Sequence, residues 1–235
     1  MLKYNEMTNM VIKKIGGIVF MTEKFLKLNI EKQSRILRAI CEEFTNHSYD
    51  DASTNRIVEK AGISKGTLFN YFGCKEDMYH ALLRYVLDFF TAYATPDFET
   101  DDFIERCRIL GEMDMKIYQE APYMVNFFAT IYSGSGSHVP TDITETISIL
   151  LSEAIEKLYK NVNYSLFRTD VEPTLLMRMI RFTFDGYMKE VFDKMKIGQL
   201  TADTFEEFMD DHYTFLKEME KIYYRREVLT DVEKL

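Results

Sequence analysis

Residues 53–72 constrain this chain more than any other stretch, because they read as two short helices hinged on one glycine. Ser53 stands where an N-cap is wanted, and Thr54 to Lys60 follow as a helix burying Ile57 and Val58. Gly62 falls where a helix ends in left-handed backbone, a conformation that glycine enters without steric cost. Ile63 turns inward, and Ser64 caps a second helix from Lys65 to about Tyr71, with Leu68 and Phe72 inside. Lys65, Gly66, Thr67, Asn70 and Tyr71 are left facing out. The pattern is a helix-turn-helix. Its second helix offers small and polar side chains and free N-terminal amides, a surface suited to phosphates and base edges. On pattern alone, an ordinary helical hairpin with a polar face is the other reading.

The rest of the chain is helical in period. Asn29 precedes a helix over 30–46 with the stripe Ile30, Ile36/Leu37, Ile40/Cys41 and Phe44, and Gln33 fills its long first gap. A longer helix runs from Lys75 towards residue 94, and others are expected at about 100–119, 122–132, 142–162, 172–196 and 202–225. Pro96, Pro122, the run SGSGSHVP, Pro173 and Gly198 punctuate them. Four prolines in 235 residues, and no sustained alternation, make the chain all-α. Its organisation is read as a possible extension at 1–21, a helix-turn-helix domain at 22–78 and a larger helical domain at 79–235.

Charge follows the same division. Residues 1–21 carry +2, residues 22–78 are neutral, and residues 79–235 carry −11. Lys60, Lys65 and Lys75 occur without an intervening acid, so a polyanion is tolerated there and repelled elsewhere. Cys41, Cys74 and Cys107 are odd in number and lack a CxxC spacing, which fits a reducing cytoplasm and neither a disulfide framework nor a zinc finger. The longest uncharged stretch, Ala121–Thr141, contains Pro122 and is too short in its apolar part to span a bilayer. No membrane association, cofactor, resident metal or catalytic residue is expected. Glu206, Asp210, Asp211 and His212 are the nearest approach to a metal set, but on a helix His212 points with the apolar stripe while the acids mostly face away.

Ile15-Gly16-Gly17 can be encoded by AUA-GGA-GGA, which resembles a bacterial ribosome-binding site ahead of Met21. Translation from Met21 is one expectation; a natural, weakly structured arm is the other.

The run from Ser53 to Met78, STNRIVEKAGISKGTLFNYFGCKEDM, resembles the DNA-binding signature of the TetR family of bacterial regulators. The resemblance covers about 50 residues, 29–78, and beyond residue 80 only length and helicity agree. It implies a homodimer with two heads on a palindromic operator of double-stranded DNA, most simply a repressor released by a small, largely apolar effector. Carried over by position, Lys65, Gly66, Thr67 and Asn70 face the major groove, and Asn55 reaches it from the preceding helix. Ser53, Tyr71 and Lys75 resemble phosphate contacts, and Ser64 belongs to the same surface. Phe69 stands where the family often has Tyr, and Cys74 where Ser or Asn often caps the next helix. Asp77 can still complete half of a capping box, and a thiol beside Lys75 is a conceivable redox switch.

In TetR-like proteins the remaining helices enclose an effector pocket and form the dimer interface. Pocket candidates are Phe89, Phe90, Tyr93, Met113, Phe127, Phe128, Tyr132, Phe182 and Asp185. Interface candidates are Met179, Thr183, Gly186, Phe208, His212, Phe215 and Met219, on the last two long helices. Taken alone, each stripe reads first as intramolecular core; it is the resemblance that turns it into an interface.

Overall fold

The computed structural model describes residues 21–92, 97–132, 138–196 and 202–225. Residues 1–20, and with them the expected extension, lie outside the described residues. The described residues form ten α-helices and one short 3-10 turn, with Phe167 and Tyr224 making an isolated antiparallel bridge. The all-α expectation therefore holds. The helices are α1 (Glu23–Leu26), α2 (Ile30–Asn46), α3 (Thr54–Ala61), α4 (Lys65–Phe72), α5 (Lys75–Ala92), α6 (Phe103–Glu120), α7 (Pro122–Tyr132), α8 (Thr141–Tyr159), α9 (Pro173–Lys196) and α10 (Ala202–Tyr223). Among the described residues no helix is long and apolar enough to cross a membrane.

The chain forms two compact units. One takes in the described residues 21–92 and 120–151, the other 97–119 and 152–225.

In the first unit, α2 is the central strut, packed on α3, α5 and α7. Its buried side chains Ile36, Leu37, Ile40, Cys41 and Phe44 recur at helical spacing. Asn29 Oδ1 accepts the Lys32 N–H at 2.9 Å and caps it. Gln33, at the weak start of the stripe, is buried for a different reason. Its Nε2 reaches the carbonyls of Phe25 (3.1 Å), Leu26 (3.0 Å) and Leu28 (3.1 Å). One amide, with two hydrogens to share, thus draws together carbonyls at and just past the end of α1, a helix that sequence periodicity did not reveal because it is a single turn.

The second unit is centred on Phe103, Ile104, Cys107, Leu158, Phe167, Leu176, Ile180, Leu216 and Met219. Arg106 is buried among them, with no acid paired to its guanidinium among the described residues. Its guanidinium donates to the carbonyls of Leu158 (3.0 Å) and Lys160 (2.6 Å), and its Nε to Thr100 O (2.7 Å). A cation here answers the negative end of α8 and fills its last carbonyls. Tyr224 closes the other side, donating to Asp102 Oδ1 (2.5 Å) and accepting from the Ile104 N–H (3.1 Å).

Candidate nucleic-acid interface

The site is built on α3 and α4. Gly62, between them, has φ 63° and ψ 40°, the left-handed conformation the sequence requires. Ile63 N–H closes the turn onto Val58 O at 3.1 Å. Ser64 Oγ accepts from Thr67 N–H at 3.1 Å and lies 2.8 Å from the Thr67 hydroxyl, so α4 is capped as expected. Ser53 occupies the cap position of α3 but its side chain makes no capping bond. Its N–H instead donates to Glu43 Oε1 at 2.7 Å.

That carboxylate is the hidden organiser of α3. Arg56 grips Glu43 with Nε at 2.9 Å and Nη2 at 2.6 Å, and adds Asp51 O at 2.9 Å. Burial pushes the Glu43 carboxyl up, but hydrogen bonds from Arg56 and from Ser53 N–H outweigh it and hold the group below its ordinary value. Sequence reasoning missed this pair, because residues 43 and 56 carry no spacing signal.

Below the outer face of α4, Leu68 and Phe72 are buried, each contributing about 1.5–3 kcal/mol. Lys65, Gly66 and Asn70 are exposed, Thr67 is half-buried, and Asn55 on α3 and Ser64 are exposed. A Cβ on Gly66 would meet only Ser64 Oγ, at 4.0 Å, so nothing inside the chain demands a glycine there.

Tyr71 departs from expectation. It is 7% exposed, with its ring set edge-on to Phe25 (centroids 5.7 Å) and beside Phe72 (6.5 Å). It was expected to face out; the apolar side of α1, unseen in the sequence, covers it instead. α1 also brings two residues that sequence reasoning missed. Lys24 Nζ donates to Asn70 Oδ1 at 3.0 Å, and the Thr22 hydroxyl donates to Asn70 O at 3.2 Å.

Lys75, at the start of α5, donates to Asp50 O at 3.2 Å and lies 4.9 Å from the Tyr49 ring centroid. Cys74 is exposed. Its thiol donates to Asp77 Oδ2 at 3.0 Å and its Sγ lies 3.4 Å from Asp77 N–H, while Cys74 N–H goes to Phe72 O at 3.1 Å; the Asp77 carboxylate thus meets the thiol and not the backbone N–H expected of it. The preceding Gly73 has φ 77°, and a Cβ there would stand 2.7 Å from Asp77 Oδ2.

The other candidates fall into different places. Phe89 and Phe127 are buried, while Phe90 and Phe128 are half-buried with centroids 4.3 Å apart. Met113 is half-buried on α6. Tyr93 and the side chain of Tyr132 lie outside the described residues. Phe182 and Asp185 are corrected: Phe182 is 67% exposed and Asp185 is also exposed, because the inner stripe of α9 runs through Leu176, Ile180, Phe184 and Tyr187.

Among the interface candidates, Met179 (46% exposed) and Gly186 are on the surface, and Thr183 is half-buried, bonded to the Tyr223 hydroxyl at 3.0 Å. Phe208 is half-buried. His212 and Met219 are corrected, being buried in the second unit. His212 Nδ1 lies 3.1 Å from the Tyr187 hydroxyl, and Phe215 stacks on Tyr187 at 4.0 Å. Leu175 on α9 and Ile222 on α10 are further exposed apolar residues.

Residues 36–82 match the family model of bacterial regulatory proteins of the tetR family. The chain is 36% identical over 76 residues to the HTH-type transcriptional regulator RutR of Escherichia coli (strain K12), covering 32% of this chain and 36% of that protein. The chain thus spans about a third of that relative. It is 25% identical over 190 residues to the uncharacterized HTH-type transcriptional regulator YvdT of Bacillus subtilis (strain 168), covering 79% of this chain and 93% of the other. A crystal structure of a TetR family transcriptional regulator from Chloroflexus aurantiacus J-10-FL shares the fold, with TM-score 0.54 and 22% identity over 88% of this chain and 100% of that one.

Proposed function

Because this chain belongs to the tetR family of bacterial regulatory proteins, we propose that it is a sequence-specific DNA-binding transcriptional regulator, acting as a homodimeric repressor. The observation that carries the reading is the outer face of α4. Lys65, Gly66 and Asn70 are exposed there, with Thr67 half-buried beside them and Asn70 held by Lys24, while Leu68 and Phe72 lock the helix from behind. Gly66 supports the reading further, since its missing side chain serves no internal contact and leaves room for a surface outside the molecule.

In this assignment Lys65, Gly66, Thr67 and Asn70 read base edges in the major groove, with Asn55 alongside. Ser53, Ser64 and Lys75 hold phosphates, and Lys24 joins them through its contact with Asn70. Tyr71 contributes by steadying α4. Bases set sequence preference and phosphates set register and salt dependence.

The second copy docks on α9. Leu175, Met179, Phe182 and Gly186 follow one another at steps of four, three and four, so they share a face, and the apolar members are bare to solvent. A self-complementary apolar face closes a two-fold dimer. Such a pair would set two α4 helices roughly 34–36 Å apart, or a multiple of one DNA turn.

The effector is small and largely apolar, taken by the aromatic surface around Phe90 and Phe128. It releases DNA only through its preference for the conformer whose heads are wrongly spaced. Repression follows from occupancy, since a protein seated on a promoter blocks it. Cytoplasmic residence accompanies this role.

Footprinting on DNA flanking the native gene tests the proposal. A protected palindrome whose binding weakens steeply with salt is expected; well-folded, ligand-free protein that protects no site would overturn it.

A further inference from the structure

A cavity of about 190 Å³ lies in the first unit, beneath the turn that joins α2 to α3. Phe44, Tyr49, Tyr79 and Phe127 wall it, Thr130 and Ile131 of α7 floor it, and Thr45, His47 and Ser48 supply polar groups at its rim. It is partly open to solvent and its lining is as much polar as apolar, with room for one small ring bearing a polar group.

The walls form an aromatic box. Tyr79 stands 4.7 Å from Phe44, 5.0 Å from Tyr49 and 6.2 Å, edge-on, from Phe127. Burial pushes the Tyr79 hydroxyl up to about 12, so the box is neutral at physiological pH. Tyr49 is the most exposed of these rings. It is half-buried and sits in a turn rather than a helix. Its ring carries Lys75 (4.9 Å) on one contact and His138 (centroids 4.6 Å) on another. His138 is itself held with φ 63°, an uncommon conformation for a residue with a side chain, and lies 4.0 Å from Asp50.

We propose that this cavity is a second ligand site, separate from the Phe90–Phe128 surface, and that it takes a single-ring aromatic molecule. Its neutral aromatic walls select a flat apolar ring, and its rim accepts one hydroxyl or amide on that ring. Occupancy turns Tyr49 outward, removes the ring beneath Lys75 and frees Lys75 from Asp50 O. That consequence rests on the reading of Lys75 as a phosphate contact; binding to the cavity does not.

The test uses benzyl alcohol and the full chain. Methyl-labelled protein is titrated and followed by NMR, and operator affinity is measured with and without the probe. Shifts centred on Thr130 and Ile131, absent in Thr130→Met, together with an operator affinity that changes at least about threefold in wild type alone, support the proposal. The melting temperature of Thr130→Met shows whether it is folded, and the wild-type shift map stands without it. No shift at millimolar probe, shifts centred elsewhere, or an unchanged operator affinity despite saturation would overturn it. Failure of unliganded wild-type protein to bind DNA would instead count against the regulator reading, leaving the cavity result to be judged from the shifts.

Discussion

The imidazole of His212 on α10 is seated directly on Gly111 of α6: a Cβ added to Gly111 would stand 2.5 Å from Nε2 and 2.8 Å from Cδ2. The glycine is not needed for backbone conformation, since it lies within a helix. It is needed because the ring and the Tyr187 hydroxyl on its other nitrogen, 3.1 Å away, leave little room to retreat. Gly111→Ala should therefore destabilise the protein by about 1–3 kcal/mol, although alanine is the better helix former. Chemical denaturation measures it, and an equal or higher midpoint would contradict this packing.

The same histidine gives a pH dependence. Burial lowers its proton affinity below the ordinary value, outweighing the Cys107 carbonyl and Asp211, which raise it. The folded protein thus holds His212 neutral while the unfolded chain takes up a proton. This contribution is complete above the unfolded value of 6.5 and is lost as pH falls through the lower folded value. Between about pH 7.5 and 5.5, wild type should lose more stability than His212→Gln. Parallel denaturation curves for the two proteins would refute it.

Gly66→Ala separates folding from recognition. The space around a Cβ at Gly66 is open and the helix gains propensity, so stability should rise by about 0.5–1 kcal/mol. The added methyl stands between α4 and the groove, so operator affinity should fall. Loss of both, or of neither, would mean that the face is not a contact surface.

Asn70 and Lys75 should fail in different ways. Asn70→Ala is expected to cost about 1–3 kcal/mol of discrimination between matched and mismatched sites. Lys75→Ala is expected to weaken all sequences alike and to reduce the salt slope by about one. Gel shifts on both kinds of site at several salt concentrations distinguish them.

Phe182→Asp places a charge on the barest apolar side chain of α9. Self-association should weaken by more than about tenfold, because the carboxylate loses its water at the interface without gaining a partner. Sedimentation equilibrium reads the change, and Phe182→Leu should leave the assembly intact. A monomeric wild type would remove the basis of the dimer.

The helix-turn-helix was legible in the sequence because its signals are local: a capping serine at Ser64, a left-handed glycine at Gly62 and a buried pair four residues apart. What was not legible depends on partners distant in sequence. Glu43 with Arg56, Gln33 with the end of α1, and Arg106 with the end of α8 are polar side chains whose roles come from packing, and no spacing rule announces them. The faces of α9 and α10 were misread for a related reason. The period of α10 rightly set His212 with the buried stripe but does not say whether that stripe meets the chain's own core or a second copy, and on α9 only the packed neighbours leave Phe182 outside.

The uncovered row of Leu175, Met179 and Phe182 also bears on dose. If two subunits must pair before either can hold an operator, occupancy at low copy number climbs with the square of the amount synthesised. A modest drop in production would then open the promoter abruptly, with no effector present at all.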